Sequence, residues 1–289
     1  MKYSFGNIQY YWPQQIVFDF YKNVINSPAN IVYLGESVCS KRSELKNQHW
    51  LELAKDIQAA GKQPILSTMA LLVSKAEILN IRRSIESGNL LVEANDMGAV
   101  HVAQELKLPF VAGQALNCYN AQTLLFLEKL GMTRWVVPVE IGFEKLNLIL
   151  NELPHRTFEV EVMAYGHQAL AYSSRCFTAR HEGREKDKCE RCCLNYPEGL
   201  NVNSQEDQQL FKFNGVQTQA GRCLNLRNNL PQLIELADIL RINPEKPNCT
   251  NLLKEFIARI DTPDKFPPCP LPSNQSNGYW SQIAGIEIV

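Results

Sequence analysis

No run of about 18 uninterrupted apolar residues occurs in the chain, so no helix is expected to span a bilayer. Charge of neither sign prevails. There are 29 Lys and Arg against 30 Asp and Glu, a formal net charge of -1. A dedicated nucleic-acid binder needs a basic face to displace counterions from phosphates, and this balance argues against one. The opening MKYSFGNIQYYWPQQ lacks the charged-then-apolar run of a secretory signal, which makes the cytosol the expected compartment. Glycine-rich phosphate loops are missing as well: Gly35 and Gly166 stand isolated, so the dinucleotide fingerprint is excluded. There is no His-Glu-x-x-His motif and no Ser-His-Asp ordering of the hydrolase kind, which leaves a peptidase reading without a nucleophile or a zinc-protease motif.

What is present is a globular composition, 45% hydrophobic and 20% charged over 289 residues. Over the first 165 residues, short β-rich runs alternate with amphipathic ones. Strands are expected at 2–8, 31–34, 64–68, 90–94, 109–112, 134–139 and 157–164, with an eighth at 238–242. Helices are expected between them, as where Trp50, Leu53, Ala54 and Ile57 mark one face at the 3.6-residue period. Such alternation predicts βαβ units with a parallel sheet. Eight units in a chain of this length point to an α/β fold, the closed (β/α)8 TIM-type barrel. The expected organisation is a single domain over 1–289, with a cysteine-rich insertion at about 166–227 after the seventh strand, where apolar periodicity stops.

Nine cysteines are many for a chain expected in a reducing compartment, and the odd number fits a disulfide framework poorly. Four of them, Cys176, Cys189, Cys192 and Cys193, lie in the polar stretch CFTARHEGREKDKCERCC. Clustered thiols in a charged loop are a metal-binding arrangement, because thiolates are soft ligands and loops wrap an ion easily. Cys39 follows the second strand and belongs to the same barrel face as the insertion, since both leave carboxyl ends of strands. Lys41, Arg42, Arg175 and Arg180 are basic neighbours expected to lower the thiol pKa values. By spacing alone, an iron–sulfur cluster, a zinc site and unligated thiols all remain open. Cys118 reads as packing, and Cys223, Cys249 and Cys269 read as free thiols. His49, His101 and His155 read as surface residues. His167 and His181 flank the cysteine run, while Glu36, Glu140 and Glu161 sit at or within strands near the expected active face.

Several stretches carry a resemblance: YLGESVCSKR (33–42), LPFVAGQALNCYNA (108–121), RWVVPVE (134–140), EVEVMAYGHQALAYSSRCFTAR (159–180), CERCCLNYP (189–197) and NGYW (277–280). They are similar to the collagenase-like peptidase family, in the branch that serves oxygen-independent ubiquinone biosynthesis. The resemblance implies a (β/α)8 barrel with a [4Fe–4S] cluster on Cys39, Cys176, Cys189 and Cys193, and with Cys192 outside the ligand set. Relatives in the wider family carry an earlier cysteine where this chain has Ala169, and Cys39 then supplies the replacement thiolate. It further implies a heterodimer with a UbiU-like subunit, helped by a UbiT-like lipid-binding protein, that hydroxylates the ring of ubiquinone precursors without oxygen. A zinc-stabilised scaffold, or a peptidase as the family name says, is the alternative.

Overall fold

The computed structural model describes residues 1–42, 44–88 and 90–289. The first part of the chain runs β1 (Lys2–Phe5), α1 (Gln14–Ile25), β2 (Ile31–Leu34), α2 (Asn47–Ala59), β3 (Gln63–Ser67), α3 (Lys75–Gly88), β4 (Leu91–Ala94), α4 (Met97–Glu105), β5 (Phe110–Ala112), α5 (Ala121–Lys129), β6 (Met132–Val136), α6 (Phe143–Asn151) and β7 (Glu159–Gly166). A second group follows: β8 (Ala169–Tyr172), α7 (Phe177–His181), β9 (Leu200–Asn203), β10 (Gln209–Asn214), β11 (Gln217–Ala220) and β12 (Cys223–Asn225). The chain closes with α8 (Leu230–Leu236), β13 (Ile239–Ile242), α9 (Thr250–Asp261) and β14 (Gln275–Ser276).

Strands β1 to β7 pair in parallel in chain order, and β13 joins both β1 and β7 in parallel, so eight strands close a barrel. The fold is the (β/α)8 barrel that the alternation of strand and helix patterns predicts. Local sequence explains the elements. Strand β2 is IVYL, β-branched and aromatic, and all four residues are buried. Tyr33 and Ile31 belong to a cluster inside the barrel, whereas Val32 and Leu34 join the layer between strands and helices, as a two-residue period requires. Helix α1 buries Val17, Phe20, Tyr21 and Val24, one stripe at helical spacing. Asp96 and Asn120 cap α4 and α5 by accepting the Gly98 and Thr123 N–H groups at 2.6 and 2.8 Å.

Strands β8, β11, β10 and β9 form a separate antiparallel sheet in that order. These strands are missing from the sequence-based expectation because their inward positions are polar. Asn214, Gln217 and Gln219 are buried, yet each is spent on hydrogen bonds rather than apolar contact. They meet the loop after β1: Asn214 Nδ2 donates to Gln9 O at 2.8 Å, Gln217 Nε2 to Gln9 Oε1 at 2.8 Å, and Tyr10 Oη to Gln219 Oε1 at 3.3 Å. The small sheet is thereby pinned across the carboxyl end of the barrel.

Candidate metal and ligand site at the barrel mouth

The barrel interior is itself charged. Arg241 donates to Glu93 Oε1 at 2.7 Å and lies over the Tyr33 ring, 4.2 Å from its centroid. Glu161 accepts from Ser4 at 2.7 Å and from Tyr33 at 2.5 Å, and Arg134 reaches Tyr33 Oη at 3.2 Å. All these groups are buried and mutually paired, so the interior is a packed ionic core. Glu161, a candidate for the active face, is one of its members. Of the other carboxylate candidates, Glu36 caps the chain by accepting the Val38 and Cys39 N–H groups, and Glu140 accepts from Tyr119 at 3.1 Å.

Above this core, His167, Cys223 and Glu245 converge. One ligand atom from each lies within 4.8 Å of the others, a spacing able to hold a metal ion. His167 follows β7, Cys223 opens β12 and Glu245 follows β13, so strand ends far apart in sequence meet at one point. The geometry is well supported. His167 Nδ1 lies 2.5 Å from Glu245 Oε2, the His167 N–H donates to Glu245 Oε1 at 2.6 Å, and Tyr10 Oη donates to Glu245 Oε2 at 2.8 Å. Burial pushes Glu245 up, but the His167 charge and these hydrogen bonds outweigh it and leave the pKa below the usual carboxylate range. Burial, then the Glu245 charge, raise the Cys223 thiol well above its ordinary value. A divalent cation would reverse that balance by replacing the thiol proton. Beside the three groups opens a cleft of about 380 Å³, lined also by Tyr165, Asn201, Lys212 and Gln275.

The thiols singled out in the sequence lie elsewhere on the same face. Cys39 follows β2, Cys176 caps α7 by accepting the Ala179 N–H at 3.4 Å, and Cys189 and Cys193 sit in the two short turns beyond. Lys41 ties the Cys39 loop to this region by donating to Lys186 O and Asp187 Oδ1, both at 2.9 Å. Burial raises Cys39, and it raises Cys193 to about 11 despite the adjacent Arg42 guanidinium. At Cys39 and Cys193 the expectation that basic neighbours depress the thiol is therefore reversed, because desolvation dominates. The expected [4Fe–4S] cofactor is corrected too. Among the described residues the ligand group gathered closely enough to hold an ion is His167, Cys223 and Glu245, three mixed donors rather than the four-cysteine set a [4Fe–4S] cluster needs. Cys176 nonetheless lies near enough to Cys39, and both near enough to Cys193, to add to the rise of those two thiols. Mixed nitrogen, sulfur and oxygen donors suit a single ion of the zinc type.

Sequence reasoning marks His167 as a candidate, takes Cys223 for a free thiol, and passes over Glu245. Tyr10 and Lys212 carry no local signal either. Cys118, read as packing, is indeed buried, and burial raises its thiol to about 11.

Fold and site together define a (β/α)8-barrel protein with a candidate mononuclear metal site at its carboxyl face, a fold common to many enzymes. The model of peptidase family U32 matches residues 18–248, and the chain belongs to that family. It is 25% identical over 123 residues to the tRNA hydroxylation protein P of Escherichia coli K12. That match spans 42% of this chain and only 26% of the relative's length. Among solved structures, the chain is similar to ligand-free tryptophan synthase from M. tuberculosis, at 11% identity, 89% and 87% coverage and TM-score 0.45. It is also similar to a mandelate racemase/muconate lactonizing protein from Paracoccus denitrificans, at 14% identity, 57% and 48% coverage and TM-score 0.40. No helix among the described residues is long and apolar enough to cross a membrane.

Proposed function

We propose that this chain is a metal-holding barrel subunit that serves oxygen-independent ring hydroxylation in ubiquinone biosynthesis, similar to UbiV, and that it pairs with a UbiU-like subunit. The observation that carries the metal-holding role is the convergence of His167, Cys223 and Glu245. His167, Cys223 and Glu245 would hold a zinc-type ion there, tying together the ends of β7, β12 and β13, and the ion would supply Lewis-acid chemistry beside the cleft. The chain's own groups do the rest. Tyr10 fixes the Glu245 carboxylate, and the amide-lined sheet closes over the mouth. The hydroxylation role is supported by the six resembling stretches, and by the fact that a relative in sequence is a tRNA hydroxylation protein. A UbiT-like lipid-binding protein would deliver the apolar precursor.

Elemental analysis of the purified chain tests the first half: about one zinc-type ion per chain, lost in Cys223→Ser and His167→Ala. A cell deleted for the gene tests the second half. Ubiquinone made without oxygen should fall and return with the wild-type chain, and synthesis undiminished by the deletion would sink the hydroxylation role. In the same cells Cys39→Ala, at normal protein levels, separates a thiol needed for synthesis from one that only supports the fold. A second reading, peptide hydrolysis, is favoured by the same three donors, since a site with three protein ligands and an open side is the catalytic form of a zinc centre. Peptide cleavage by the purified protein, abolished in Cys223→Ser, would put that reading first.

A further inference from the structure

Lys212 stands apart from every other charged group of the mouth. It sits on β10 at an inward position, 8% exposed, while its neighbour Phe211 faces solvent. Among the described residues its ammonium has no ion pair and no hydrogen bond. Its one recorded partner is the Tyr10 ring, with Nζ 5.9 Å from the centroid. Yet Lys212 lines the same cleft of about 380 Å³ as Tyr10, Glu245, Asn201 and Gln275. Room for its stem is built in. Gly199 has a φ of +77°, and a Cβ there would come within 3.0 Å of Lys212 Cγ. An unpaired charge at this depth is costly, and structural lysines avoid it by pairing or by reaching solvent.

We propose that Lys212 is an amine nucleophile that forms an imine with a small polar aldehyde or ketone entering this cleft. The neutral Nζ adds to the carbonyl carbon, the π pair moves to oxygen, and one Nζ proton passes to that oxygen to give a carbinolamine. The second Nζ proton follows as the C–O bond breaks, so the oxygen departs as water and a C=N bond to Nζ remains. No oxidant or reductant is consumed, and Tyr10, whose ring centroid lies 5.9 Å from Nζ and whose hydroxyl is bonded to Glu245, is a group of the cleft able to pass the protons. Desolvation by burial lowers the Lys212 pKa against the opposing pull of Glu245, Cys223 and Glu198, so more of the amine is neutral and nucleophilic than in an exposed lysine. The other ionisable groups lining the cleft with it are His167, Tyr10, Tyr165 and Lys246, the last paired with Glu198 at 3.4 Å. The asparagine and glutamine side chains of the cleft suit the hydroxyl or carboxyl substituents of such a molecule.

The test uses the whole chain, with and without chelator treatment so that any bound metal is controlled, and pyruvate as the probe. Sodium borohydride reduces any imine to a stable amine, and peptide mass mapping locates it. The label should fall on Lys212 in preference to the exposed lysines, since a lowered pKa leaves more of its amine neutral. Tyr10→Phe should slow it, and lactate, which has the carboxylate but no carbonyl, should give no label. Labelling spread over the exposed lysines would overturn the proposal. So would protection of Lys212 from an acylating reagent by pyruvate and lactate alike with no borohydride product, since that would make the cleft a seat for anions only. Because the decisive measurement is on the wild-type chain, it does not depend on how any variant folds, and its failure leaves the metal site standing.

Discussion

The barrel interior and the cleft above it both hold buried ionisable side chains, with opposite outcomes. Inside, Arg241, Arg134, Glu93 and Glu161 are fully paired and sealed, with Tyr33 wedged among them. In the cleft, His167 and Glu245 are paired, but Cys223 is held as a thiol and Lys212 has no polar partner. Distance explains the difference. Strands of a closed barrel bring inward side chains within hydrogen-bond reach, whereas groups above the rim are spread around an opening that a ligand can enter. The lesson is that burial of charge alone does not mark a site; burial of charge left unmatched beside a cavity does.

The contrast can be broken most sharply from the inside. Arg241→Met leaves Glu93 and Glu161 without their shared cation and should cost about 3–5 kcal/mol in urea unfolding. A loss under 1 kcal/mol would mean that the interior ions are not a core. Next in size, Tyr10→Phe removes the donor that orients Glu245 and should weaken zinc binding about 10–100-fold, read by competition with a chromophoric chelator, while the melting curve stays close to wild type. Acidification sharpens the same point: affinity should fall with pH, because the proton held on Cys223 competes with the metal. In the metal-free chain, Glu245 has a folded pKa below its unfolded one. Its contribution is therefore present above the unfolded value and lost as pH drops through the folded one, a loss that Glu245→Gln should abolish.

The smallest expected effect is at Lys212. Its folded pKa is depressed, so at neutral pH the folded state carries a penalty that the unfolded state does not. Lys212→Met should raise stability at pH 7, and the gain should shrink as pH rises toward the ordinary lysine range. A Lys212→Met chain less stable than wild type at pH 7 would show that the ammonium is satisfied after all, and would erase the distinction between core and cleft at that residue.

Much of the fold is legible in the chain. All eight barrel strands fall where β-rich runs predict them, to within about three residues, because apolar side chains alternate or run together there and helical stripes such as Val17, Phe20, Tyr21 and Val24 separate them. The small sheet is not legible. QLFKFN and QTQA place Lys212, Asn214, Gln217 and Gln219 inward, which inverts the usual pattern, and partners such as Gln9, Tyr10 and Arg42 make that tolerable. The site shows the same divide. A dense cysteine run draws attention to Cys176, Cys189 and Cys193, while Cys223 and Glu245 lie 22 residues apart in unremarked contexts and His167 another 56 before them.

Composition and period by themselves determined that this chain closes a parallel barrel, since hydrophobic periodicity is a local property that survives in a one-dimensional string. Which thiol, imidazole and carboxylate stand together, and which lysine is left without a direct ion pair or hydrogen bond, was decided only by closure of the barrel and docking of the polar sheet across its mouth. Proximity between residues scores of positions apart is set by topology, and electrostatic worth follows proximity and burial, neither of which the order of residues records.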